Sequence, residues 1–66
     1  ARLTDLLDHH RAKLDAYRAI EQRDFTPPPS RRDHRLRHLV LKAGMDFEHQ
    51  RIVFYEEALA ILNAVD

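Results

Sequence analysis

Ile52-Val53-Phe54-Tyr55-Glu56-Glu57-Ala58-Leu59-Ala60-Ile61-Leu62 decides the fold of this chain. Nine of its eleven residues are apolar, and only Glu56 and Glu57 interrupt them. Their helix formers and three-to-four spacing predict a helix that is apolar on nearly every side. A surface helix carries one apolar stripe; a helix apolar all round has to be covered all round. A chain of 66 residues cannot supply that cover alone, because domains near 60 residues bury only about 60% of their unfolded surface. The segment therefore predicts half of a core, with another subunit supplying the other half.

Composition narrows how so small a chain can be stabilised. Cysteine is absent, which excludes disulfides and thiolate metal sites and leaves oligomerisation as the expected remedy. It also fits a reducing cytoplasm, the expected location. The 11 basic and 11 acidic residues cancel, and a pI near 7.2 argues against a dedicated nucleic-acid binder, whose domain pI usually exceeds about 9. No apolar run approaches the roughly 18 residues of a membrane span, and there is no basic start followed by an apolar core, as a signal peptide requires. The sequence opens at Ala1 with helical patterning at once, so we read it as part of a longer protein.

Phe25-Thr26-Pro27-Pro28-Pro29-Ser30 separates two periodic stretches. Its prolines remove backbone donors and push their predecessors out of helical geometry. Before it, a first helix is expected from about 3 to 24. Leu3, Leu6, Leu7, His10, Leu14, Tyr17 and Ile20 form its apolar stripe. Thr4 is a candidate cap, with Asp5 near the positive end of the helix dipole. Arg11 with Asp15, and Arg18 with Glu21, are spaced to pair along the polar face.

After the linker at 25–30, a second helix is expected from about 31 to 64, with Ser30 as N-cap and Asp33 completing a capping box. Two apolar stripes run along it. One is Leu36, Val40, Ala43, Phe47, Phe54, Ile61 and Val65, interrupted by Gln50; the other is Leu41, Met45, Ile52, Tyr55, Leu59 and Leu62. Gly44, the single glycine, sits mid-pattern at about 1 kcal/mol against Ala. It could end one helix, with Asp46 capping the next. Both stripes keep phase across it, so one long helix is the expectation, with any kink at Gly44. The fold class is all-α: a helical hairpin with one long second helix.

Charge is uneven along that helix. Arg31, Arg32, Arg35, Arg37 and Lys42 against Asp33 give +4 up to Lys42, and Asp46, Glu48, Glu56, Glu57 and Asp66 against Arg51 give −4 beyond it. This is the reverse of what the helix dipole favours. An antiparallel copy would lay the basic half of one chain on the acidic half of the other, a self-complementary two-fold contact. The expected assembly is thus a homodimer paired as an antiparallel coiled-coil-like bundle. If both charge blocks are simply solvated, the stripes still require a partner and parallel packing becomes equally open.

Candidate chemistry is sparse. His34 and His38 share a helix face in an HxxxH pattern, His9 and His10 have Asp5 and Asp8 nearby, and Asp46, Glu48 and His49 form a third cluster. A zinc site needs three or four ligands brought together, and Arg35 and Arg37 would repel a cation at the HxxxH pair; the bland reading is surface and interface histidines. His10, on an apolar stripe, reads as a hydrogen-bonded interface histidine, with a pH-sensitive contact as the alternative. The arginines from Arg31 to Arg37 read as partners for acidic groups rather than as phosphate contacts, and the aromatic residues read as core. Ser30 has no base beside it, and no glycine-rich phosphate loop occurs. No enzyme activity, cofactor or metal is expected.

Leu6 to Gln22, LLDHHRAKLDAYRAIEQ, and His34 to Leu62, HRLRHLVLKAGMDFEHQRIVFYEEALAIL, resemble the two halves of the C-terminal domain of PadR-type transcriptional regulators, in the variant also called the virulence activator alpha type. The likeness rests on Leu39-Val40-Leu41-Lys42-Ala43-Gly44-Met45 and Phe54-Tyr55-Glu56-Glu57-Ala58-Leu59 and covers about two-thirds of the chain. Tyr55 departs from it, since the family commonly has tryptophan there. The resemblance implies dimerisation through antiparallel helices, with DNA bound only by an N-terminal winged-helix domain that this sequence does not contain. The expected dimer seam is Leu36, Val40, Phe47, Phe54, Tyr55, Leu59 and Leu62, with Leu7, Leu14 and Tyr17 packing from the first helix. No effector can be named. The other readings are a stand-alone protein-interaction adaptor and a histidine-based metal-binding hairpin.

Overall fold

The computed structural model describes residues 2–64. Two helices account for almost all of them: α1, Arg2–Asp24, and α2, Arg32–Asn63. They fold back on each other as a hairpin about 54 Å long and 15 Å across. Among the described residues there is no strand, and no helix is long and apolar enough to cross a membrane.

α2 runs unbroken through Gly44. The Tyr17 ring packs against α2 at this point, where a Cβ added to Gly44 would lie 3.4 Å from Cε2 of Tyr17, an ordinary contact distance. The helix ends differ from the expected caps. α1 already begins at Arg2, which places Thr4 inside its first turn rather than at its cap. The N-cap of α2 is Arg31, in extended geometry and with no side-chain cap bond, so Ser30 and Asp33 form no capping box. Asp33 instead lies 3.6 Å from the Arg31 guanidinium. The helix ends at Asn63, where the Ala64 amide donates to the Ile61 carbonyl at 3.3 Å.

The core is thin. Leu7 and Leu14 of α1 and Ile52 of α2 are buried between the helices, with Met45, Tyr55 and Leu59 packed partly against them. Of the stripe read as Leu41, Met45, Ile52, Tyr55, Leu59 and Leu62, α1 therefore covers the part from Met45 to Leu59, whereas Leu62 stays 68% exposed. Phe25 adds the only other buried apolar side chain among the described residues. It belongs to the linker, yet its amide donates to the Glu21 carbonyl and extends the hydrogen bonding of α1 by one step.

Candidate functional site

Two polar clusters fix how the hairpin closes. The first lies in the middle of the helix–helix seam. Glu48 is 1% exposed, the most buried side chain described. Position 48 fills the gap between Met45 and Ile52 in the inner stripe of α2, and His10 sits on the facing stripe of α1. His10 Nδ1 donates to Glu48 Oε2, and Lys13 Nζ lies 3.1 Å from Oε1. Burial by itself would raise the Glu48 carboxyl; the bonds from His10 and Lys13 outweigh it and hold the group below its ordinary value. The Lys13 ammonium is raised in turn, first by its hydrogen bond to Glu48. Tyr55 stacks on the His10 ring at 5.6 Å. Among the described residues no buried side-chain polar atom lacks a partner.

The second cluster ties the linker to α2. The Phe25 ring stacks on His38 at 4.8 Å, nearly parallel, and lies 4.7 Å from His34. His38 Nε2 donates to Glu21 Oε2 at 2.7 Å. The HxxxH pair thus holds an aromatic ring between its imidazoles. Among the described residues, no three His, Asp or Glu side chains converge as a metal site.

These arrangements redirect the ion pairs expected from local spacing. Arg11 does not pair with Asp15 but with Glu56 across the hairpin at 2.9 Å, with Asp8 at 3.8 Å. Arg18 reaches Asp15 at 3.9 Å instead of Glu21, which is engaged by His38. Two acidic residues of the C-terminal half of α2, Glu48 and Glu56, are therefore neutralised within the chain. Asp46 and Glu57 make no ion pair among the described residues; Asp66, like Val65 of the outer stripe, lies outside the described residues.

The outer face of α2 is open along its whole length. Val40 is 73% exposed, Phe47 53%, Phe54 56% and Ile61 75%. These four recur every seven residues, with Leu36, Ala43, Gln50 and Glu57 four positions ahead of each. At 100° per residue, this line lies on the far side of α2 from α1. Leu39 and Leu62 are also largely exposed, at its margins. The Arg51 guanidinium lies over the Phe47 ring, 5.4 Å from its centre.

The ten residues expected at the seam divide between the two faces. Leu36, Val40, Phe47, Phe54 and Leu62 lie exposed on or beside the outer face. Leu7 and Leu14 are buried inside the hairpin, and Tyr17, Tyr55 and Leu59 are half-buried there. Sequence reading missed Glu48 as a structural residue, although the signal was available: one acidic and one imidazole side chain, each on a stripe otherwise apolar. Leu39 and Ile61 were left out of the seam despite their exposure, and Ile61 continues the seven-residue repeat.

The sequence pattern of the family described as virulence activator alpha C-term matches residues 1–63. No curated protein and no solved structure matches the chain.

Proposed function

The chain belongs to the virulence activator alpha C-term family, and on that premise we propose that it is the homodimerisation domain of a cytoplasmic PadR-like transcriptional regulator. Its role is geometric and not enzymatic. A rigid two-chain bundle sets the separation of two winged-helix heads that lie outside this sequence, and paired half-sites on DNA demand a fixed separation.

One observation carries this reading: the outer face of α2 presents Val40, Phe47, Phe54 and Ile61 to solvent at strict seven-residue intervals. An apolar seven-residue repeat is the pattern by which helices pair side by side. Exposed apolar surface of this extent marks an interaction site. α1 cannot supply the cover, because its own stripe is already spent on the opposite face of α2. A second copy brings an identical face and satisfies two-fold symmetry.

Sedimentation equilibrium of the chain from micromolar to millimolar concentration tests the proposal, with circular dichroism to follow helix content. The expected result is a helical dimer. A helical monomer that persists at millimolar concentration would overturn it and leave the adaptor reading in its place.

A further inference from the structure

The flank of α2 beside the proline linker carries a second surface. Pro28, Pro29, Leu36 and Leu39 wall a groove of about 550 Å³, with Arg32, Arg35 and Lys42 along its edge. This groove lies to one side of the seven-residue line. At about 100° per residue, Leu39 stands about 100° around the helix from Val40, and Arg35 and Lys42 stand about 140–160° from it. Of the outer line, only Leu36 also borders the groove. Pairing along the outer face and docking in the groove are therefore separate properties of α2.

Among the described residues, none of these three cations makes an ion pair or a side-chain hydrogen bond. Glu21 and Asp46 border the hollow that begins beyond Lys42, but Glu21 is engaged by His38. The apolar walls are uncovered too, with Leu36 57% and Leu39 58% exposed. The groove is held in shape from behind. Phe25 is buried and its ring lies against His34 and His38, which anchors the linker just ahead of its prolines. Pro28 and Pro29 have fixed φ and cannot join the helix. A groove formed in advance loses less freedom on binding than one that must be ordered by its ligand.

Spacing decides what fits. Arg32, Arg35 and Lys42 stand three and then seven residues apart, about 4.5 and 10.5 Å along the axis at about 1.5 Å per residue. A small anion can span Arg32 and Arg35 but leaves Lys42 about 10 Å away. A nucleic-acid backbone could reach all three, yet phosphate contacts are polar and make no use of Leu36 and Leu39. A second helix laid alongside meets both demands. Its rise is the same, so carboxylates at matching intervals fall opposite the cations, and apolar residues between them fall on the leucines. We propose that this groove docks an acidic amphipathic helix of a different protein, with its carboxylates on Arg32, Arg35 and Lys42 and its apolar residues on Leu36 and Leu39. The charges select and orient that helix, while the apolar strip retains it.

The probe is a fluorescein-labelled helical peptide whose glutamates repeat the spacing of Lys42, Arg35 and Arg32, with leucines placed to meet Leu39 and Leu36. A control peptide has the same composition with its glutamates moved to the opposite face. Fluorescence anisotropy on the unmodified chain at low salt should show the first peptide binding at least about tenfold more tightly, and weakening as salt is raised. The double variant Arg35→Glu, Lys42→Glu should lose that preference, and a peptide with lysines in place of the glutamates should bind it instead. Both residues are exposed, and circular dichroism checks the variant's helix content; the two-peptide comparison on the unmodified chain decides the matter if the variant unfolds. Equal binding of the two peptides, or none, would overturn the proposal. So would displacement of the peptide by a lower concentration of a DNA duplex or of dodecanoate, which would give the cations to phosphates or to a single acyl carboxylate. Sedimentation with saturating peptide should leave the association of the chain with itself unchanged. A peptide that separates paired chains would be bound on the outer face, and would overturn the proposal while leaving the homodimer reading intact. A monomeric chain that still prefers the first peptide would remove the homodimer reading and support this one.

Discussion

Replacing Phe47 and Phe54 with alanine addresses dimerisation without touching the inside of the hairpin. In one chain the two residues are 53% and 56% exposed, so about half of each side chain waits to be covered. Full burial of a phenylalanine stabilises by about 1.5–3 kcal/mol, and half of that is about 0.8–1.6 kcal/mol per ring. Two-fold symmetry places four such rings in the interface, a total of about 3–6 kcal/mol. At 1.4 kcal/mol per tenfold, the dimer dissociation constant should rise by about 10²–10⁴. Alanine is the better helix former, so helix content of the associated state should not fall. Sedimentation equilibrium across a dilution series gives the two constants, with far-ultraviolet circular dichroism as the control on folding. An unchanged dissociation constant would refute the assignment of this face. So would a variant that loses helix content at concentrations where it remains dimeric, because the rings would then be supporting the hairpin from within.

The seam and its electrostatics give further expectations. Glu48→Gln removes the charge that His10 and Lys13 converge on, and should destabilise the chain by about 1–3 kcal/mol in urea unfolding at fixed protein concentration; no change would mean that the buried carboxylate is indifferent to its partners. The same group sets an acid dependence. Its folded-state carboxyl is held below the ordinary value by the bonds from His10 and Lys13, against the opposing effect of burial. Its contribution is therefore full above the ordinary carboxylate range and is lost as pH falls through the folded value. The melting temperature of the native chain should drop more between neutral and strongly acidic pH than that of Glu48→Gln, and equal slopes would contradict this. At Gly44, alanine should be neutral to about 1 kcal/mol stabilising, since the helix gains and the Tyr17 ring need yield little at 3.4 Å. Leucine there should destabilise by about 1–3 kcal/mol, because the ring has to move off the backbone; thermal melts of both variants at one concentration decide it.

The same positions show why some of this molecule could be read directly and some could not. Gly44 was legible as compatible with a continuous helix because both stripes keep phase across it. That it accommodates Tyr17 was not, since the tyrosine lies 27 positions earlier. Local spacing suggested Arg11 with Asp15 and Arg18 with Glu21, and contacts across the hairpin took Arg11 to Glu56 and Glu21 to His38. Exposed pairs along one helix are worth only a few tenths of a kcal/mol, so a nearby group on the other helix readily displaces them. The charge asymmetry of α2 was legible too, but part of its acidic half is consumed inside the chain. Among the described residues of that half, the carboxylates left without an ion pair are Asp46 and Glu57.

Sequence alone determined the two helices, the proline break between them and the excess of apolar surface on the second. These follow from local backbone preferences and from periodicity, which act within a few residues. It could not determine which stripe of α2 would take α1. Two apolar lines with the same period are equivalent until a short second helix packs on one and leaves the other bare. Nor could it determine that Glu48 would be the most buried side chain described, or that Phe25 would leave the linker to lie between two histidines. Each depends on groups distant in the chain that meet only when the hairpin closes, and a buried charge is tolerable only because those groups arrive.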